Sequence, residues 1–169
     1  MLLMVILPVF LLAFTTAESP ASECEVPCPL YWVPWRGNCY RYFAEEVSWY
    51  TALNFCRLFS TDDDLSGLAD LVSIHSQEEH EFVFHFWKSF RARDTRPGLW
   101  IGLSDHENGR HEWSDRSGVD YTNFDAGQQS TVGQYLYLLY DSGDAHGKWH
   151  DVHDSSDWYF KFICKMPRY

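Results

Sequence analysis

At 169 residues the chain has room for one domain with a sizeable core. Eight Trp, ten Tyr and twelve Phe supply that core, and the polar tip of each Tyr and Trp needs a partner. A formal charge of −11 argues against a nucleic-acid binder, because phosphate contacts need a basic surface; it suits divalent cations or cationic partners without choosing between them.

Met1 to Ala17 is an apolar run that ends on Thr15-Thr16-Ala17. It reads as a secretion signal cut after Ala17; its length and Pro8 count against a membrane anchor. Nothing later is long and apolar enough to span a membrane. The mature chain is therefore expected in a secreted compartment where disulfides persist.

Five cysteines follow: Cys24, Cys28, Cys39, Cys56 and Cys164. The odd number leaves at least one free or joined to another chain. Cys28 and Cys39 bracket two aromatic runs around Arg36-Gly37-Asn38, which predicts a hairpin clipped by a local disulfide. Tyr40 to Phe43 continues it as a strand.

Ser48 is a helix N-cap, and behind it Trp49, Ala52, Leu53 and Cys56 fall on one helical face. Asp62-Asp63-Asp64 lies in a loop and reads as a solvated charge run. Leu71-Val72-Ser73-Ile74 predicts a short strand. Ser76-x-x-Glu79 has capping-box spacing, and Glu78 and Glu79 suit the positive end of the following helix. Phe82, Val83, Phe86 and Trp87 form that helix's apolar face, whereas His75, His80 and His85 read as surface residues. Arg91 to Arg96 is a basic exit loop.

Gly98-Leu99-Trp100-Ile101-Gly102-Leu103 is an uncharged run with the length of a fully buried strand, and Gly102 inside it marks a close backbone approach or a bulge. The polar stretch from Ser104 to Gly109 bounds it, and Glu112-Trp113-Ser114 returns as the second arm of a hairpin. Three further strands are expected at Tyr135–Tyr140, Lys148–Val152 and Tyr159–Cys164. In the last, Phe160, Phe162 and Cys164 share a face opposite Lys161 and Lys165. Cys56 and Cys164 thus both face inward, and a bridge between them would staple the first helix to the last strand.

No nucleophile motif or phosphate loop is present, so no enzyme is predicted. His146, His150 and His153, with Asp144, Asp151 and Asp154, form the one metal-like cluster. Gly143, Gly147 and Trp149 place it in loop and strand, which scatters the histidines.

Taken together, these motifs resemble the C-type lectin-like domain in its long form, with an extra N-terminal hairpin. The matching residues are Cys28-Pro29 through Cys39-Tyr40, Ala52 to Cys56, and Leu71 to Ser76 with Glu78-Glu79. They continue through Trp100-Ile101-Gly102-Leu103, Trp113-Ser114-Asp115, Tyr121-Thr122-Asn123-Phe124, Trp149-His150-Asp151 and Phe162-Ile163-Cys164. The resemblance is to small secreted invertebrate lectins of the echinoidin kind. It implies an α+β fold: two helices flanking a two-part antiparallel sheet, with a long ligand-binding loop region. It divides the chain into a signal peptide (1–17), a segment with an extra cysteine (18–27) and the domain (28–169). It also implies a disulfide-linked homodimer through Cys24 and extracellular glycans or glycoproteins as partners.

The family's sugar site works through calcium, which takes six to eight oxygen ligands. Its loop motif is Glu-Pro-Asn or Gln-Pro-Asp and its strand motif Trp-Asn-Asp. Here the loop slots hold Gln128, Gln129 and Ser130, and the strand slot reads Trp149-His150-Asp151. A further acidic slot falls on Gly133 or Gln134, so Asp151 is the one expected carboxylate retained. The resemblance thus implies a degenerate calcium–sugar site, with Gln128, Ser130 and Asp151 as carbohydrate-binding residues, Asp151 as the remaining metal ligand and calcium binding weakened. The alternative is a calcium-independent protein- or matrix-binding module on the same fold. The family's second disulfide is missing too, its slots lying near Tyr135 or Leu136 and at Asp154.

Overall fold

The computed structural model describes residues 27–60, 68–90, 98–106, 110–128, 134–140, 147–153 and 157–168. The signal segment, Cys24, the Asp62–Asp64 run, the Arg91–Arg96 loop, Gln129, Ser130, Gly133, Asp144, His146 and Asp154 lie outside them.

The chain begins with a hairpin, β1 (Val33–Trp35) and β2 (Asn38–Val47). Arg36 and Gly37 both take positive φ, 41° and 77°, which turns the chain tightly enough to set Trp35 opposite Asn38. The Cys28–Cys39 disulfide clips it, with the Cα atoms 5.7 Å apart.

Helix α1 (Trp49–Arg57) starts at Ser48, whose side chain accepts from Thr51 N–H. Its buried face is Trp49, Ala52, Leu53 and Cys56, as its 3.6-residue period predicts. The strand expected at 71–74 shrinks to β3 (Asp70–Leu71). Val72 then bonds both ways, its N–H to Ile163 O (2.9 Å) and its carbonyl to Gly102 N–H (2.9 Å).

Helix α2 (Gln77–Lys88) buries Glu79, His80, Val83, Phe84 and Trp87. The buried face is thus rotated from the expected Phe82, Val83, Phe86 and Trp87. His80 belongs to the inner stripe with Val83, Phe84 and Trp87. Phe82 and Phe86 are partly buried at the flank, where Phe82 stacks on Trp35 with ring centroids 4.9 Å apart. Glu79 is likewise no surface residue at a helix start. It accepts from Tyr40 O–H (2.6 Å), His75 N–H (2.8 Å) and Lys165 Nζ (2.6 Å).

The strands β4 (Gly98–His106), β5 (Arg110–Trp113), β6 (Tyr135–Leu139), β7 (Trp149–Val152) and β8 (Phe160–Pro167) complete one sheet. Its order is β1-β2-β8-β4-β6-β7, with β3 on β8 and β5 on β4. β4 runs past the expected stop at Leu103, because Ser104, Asp105 and His106 pair with Glu112, His111 and Arg110.

Between the named strands all pairings are antiparallel except one. β4 and β8 run parallel, Leu99 beside Lys161 and Trp100 beside Phe162, and this seam joins the two parts of the sheet. The fold is therefore α+β on a mixed sheet.

Two cores cover the sheet, one on each face. Cys56, Trp100, Tyr137, Phe162 and Cys164 belong to the first, and Leu99, Ile101, Leu138, Trp149 and Ile163 to the second. Both faces of β4, β6 and β8 are covered, which is why these strands read as continuous apolar runs. Lys165 is mostly withdrawn from solvent on its face of β8, because Glu79 takes its ammonium there. The Cys56–Cys164 disulfide, Cα atoms 5.3 Å apart, bridges α1 to β8 across 108 residues of chain.

Candidate functional site

Residues 121–128 run against β7, and Trp149 makes both backbone bonds between them. Trp149 N–H donates to Asn123 O (2.9 Å), and Trp149 O accepts from Asp125 N–H (3.2 Å). The buried Trp149 indole meets Trp113, Tyr121 and Phe124 edge-on, with centroids 5.6–5.7 Å away. This aromatic post fixes the segment that carries the candidate residues.

Asn123 is the polar hinge of the segment. Its Nδ2 reaches His80 Nε2 (3.0 Å) and Gly147 O (3.0 Å), and its Oδ1 accepts from Lys148 Nζ (2.7 Å). His80 is buried beneath it. Burial, reinforced by the Lys148 charge and opposed by Glu81, pushes the imidazole down to about 4.

Past Phe124 the chain turns at Asp125–Gln128. Gln128 N–H donates to Asp125 O (3.1 Å), Asp125 Oδ1 accepts from Ala126 N–H (2.8 Å), and Gly127 takes φ +83°. This turn brings Asp125, Gln128, His150 and Asp151 together. Gln128 Oε1 accepts from Asp151 N–H (3.2 Å), and His150 Nε2 lies 3.1 Å from Asp125 Oδ2.

Beside the turn Tyr137 is buried, and burial with the nearby Asp151 charge raises its phenol above the ordinary range. Trp158 lies nearly parallel to the Tyr137 ring, centroids 6.3 Å apart, and is 43 % exposed. Of the sequence-predicted residues, Gln128 and Asp151 are neighbours, and Ser130 lies outside the described residues. Asp125 and His80 escaped sequence reasoning. The one available signal for His80 was its place three and four residues before Val83 and Phe84.

Among the described residues the donor set does not suit calcium. Calcium wants six to eight oxygens, yet the strand slot supplies the imidazole of His150, and the Gln128 carbonyl oxygen is turned onto a backbone N–H. No group of three or more His, Cys, Asp or Glu able to hold a metal occurs among the described residues.

Residues 45–166 match the model of the lectin C-type domain. The chain is a member of the C-type lectin domain family. It is 33 % identical over 143 residues to echinoidin of Heliocidaris crassispina, covering 83 % of this chain and 97 % of that one. It is 34 % identical over 168 residues to the alpha-N-acetylgalactosamine-specific lectin of Patiria pectinifera, covering 94 % and 92 %. The crystal structure of the C-type lectin CEL-I from Cucumaria echinata superposes with a TM-score of 0.70 at 35 % identity, covering 82 % and 96 %. In C-type lectin domain terms, residues 121–128 and β7 form the loop end of the domain. Among the described residues no helix is long and apolar enough to cross a membrane.

Proposed function

We propose that this C-type lectin domain protein is a secreted, non-enzymatic binding protein that takes extracellular glycans at the loop end without depending on calcium. The observation that carries this reading is the Gln128–Asp151 contact beside the Asp125–His150 pair. The Gln128 oxygen is taken by the Asp151 backbone N–H and the Asp125 carboxylate by His150, and the Tyr137 ring links this polar rim to the exposed Trp158 ring. Amide and carboxylate groups hydrogen-bond sugar hydroxyls, and an indole face suits their C–H face. Gln128, Ser130 and Asp151 are the contact residues of this proposal. Kinship to a lectin named for alpha-N-acetylgalactosamine makes that sugar the first to try. The run ending at Ala17 supports secretion, and the odd cysteine, Cys24, supports a disulfide-linked dimer.

The test is retention on N-acetylgalactosamine and mannose resins, with calcium and with chelator. Equal retention in both buffers supports the proposal; retention lost in chelator overturns its calcium independence. A second reading rests on the same contact: a Gln128 amide already engaged offers less to a sugar, which favours a protein- or matrix-binding module. Failure to bind any sugar resin would support that reading.

A further inference from the structure

A cavity of about 720 Å³ opens where the end of α1, the turn after β5 and the end of β8 meet. None of its lining residues belongs to the loop end. Its volume lies in the range of small-molecule sites. Three cations, Arg57, Arg116 and Lys165, and two carboxylates, Asp70 and Asp115, stand in its wall.

The carboxylates are already committed. Asp70 accepts from Arg57 Nε (3.0 Å), Leu71 N–H (2.8 Å) and the Ser114 hydroxyl. Asp115 accepts from Ser117 N–H (2.9 Å) and from the hydroxyls of Ser73 and Ser117. Lys165 is committed too, to Glu79, Ser73 O and Ser73 Oγ. His75 is held between Asp120 Oδ1 (2.8 Å) and the two serine oxygens (3.1 Å each).

What remains unspent is donor capacity. Arg57 uses Nε and one Nη, on Asp70 and on Ser114 O (3.0 Å), and its other Nη has no acceptor among the described residues. Arg116 is exposed, and its guanidinium has no acceptor among the described residues. Its backbone also sits at φ +64°, a conformation glycine takes freely and a side-chain-bearing residue only at a cost. Among the described residues the two wall carboxylates are engaged and guanidinium donors are left over, a balance complementary to an oxyanion.

We infer that this cavity is a second ligand site, in which Arg116 and Arg57 hold the sulfate or carboxylate group of an acidic sugar. The oxyanion half follows from the donor surplus alone. The sugar half rests on the lectin reading, helped by Asn38 and Ser60, which can meet ring hydroxyls. The net charge of −11 opposes an anion at long range, but that field is screened within about 8 Å at physiological salt. The short-range fork contacts therefore decide.

The test titrates the whole mature protein, in chelator, with sodium sulfate against sodium chloride of equal ionic strength. N-acetylgalactosamine 4-sulfate and its neutral parent follow, read by chemical shift or calorimetry. Saturable binding of sulfate, tighter binding of the sulfated sugar, and at least a tenfold loss in Arg116→Gly are expected. The variant should stay folded with no lower melting temperature, since glycine suits that φ. Sulfate behaving like chloride, or equal affinity in Arg116→Gly, overturns the site. A sulfated sugar bound no tighter than inorganic sulfate overturns the sugar assignment. Neutral-sugar retention at the loop end does not involve Arg116, so failure of the lectin reading would show separately.

Discussion

Asn123 points an amide donor at His80 Nε2 from 3.0 Å, while Trp149 aims its indole N–H at His80 Nδ1 from 3.4 Å. A neutral imidazole accepts at one ring nitrogen only, so one of these two contacts is a hydrogen bond, and protonating that nitrogen would abolish it. The same arrangement keeps the imidazole neutral and holds the loop end to α2.

This makes the loop end sensitive to acid. The folded-state value of His80, about 4, lies below its ordinary 6.5, so folding excludes a proton. His80's contribution is complete above about pH 6.5 and is lost as the pH falls towards 4, at a cost approaching about 3 kcal/mol. Melting temperature followed from pH 7 to pH 4 should fall, and His80→Gln should flatten the curve in that window. An unchanged slope in the variant would contradict the assignment.

Glu79 and Lys165 form a nearly buried ion pair at 2.6 Å. Lys165→Met leaves the carboxylate with its cation removed and should cost about 3–5 kcal/mol in urea unfolding. Adding Glu79→Gln to that variant should restore part of the loss, because the stranded charge goes with it. A double variant weaker than Lys165→Met would assign the stability to the other hydrogen bonds of Glu79.

Gly102 has no room for a side chain. A Cβ there would sit 2.7 Å from Ser114 Oγ and 2.9 Å from Leu71 O. Gly102→Ala should destabilise by about 1–3 kcal/mol, the usual cost of overpacking, measured by denaturant midpoint.

Calcium should leave thermal stability nearly unchanged. A ligand that binds only the native state stabilises it by RT ln(1 + L/Kd), L being the free ligand concentration, so its melting point rises with L. With the Gln128 carbonyl on a backbone N–H and His150 in the strand slot, the midpoint in calcium should match that in chelator within about 1 °C. A rise of several degrees would show a competent ion cradle.

Local signals were legible in the sequence. Ser48 followed by Trp49, Ala52, Leu53 and Cys56 specifies α1 through a cap and a 3.6 period, both set by residues within one helix. The hairpin around Arg36-Gly37 is equally local. The Cys56–Cys164 bridge was readable because each cysteine shares a face with apolar neighbours. His80 was not readable: its burial depends on Asn123 and Trp149, 43 and 69 residues away. Lys165 misled for a related reason, since alternation along a strand assigns a face but not what covers it. At the loop end the motif slots located Gln128 and Asp151, but the direction of the Gln128 amide is set by a turn those slots do not encode.

The last strand lies in the middle of the sheet, between β2 and β4, and carries Cys164. Without β8 the sheet falls into two halves, β1-β2 on one side and β4-β6-β7 on the other, with no strand to join them. Trimming the tail as far back as β8 would remove a keystone, whereas trimming an edge strand would only narrow the arch.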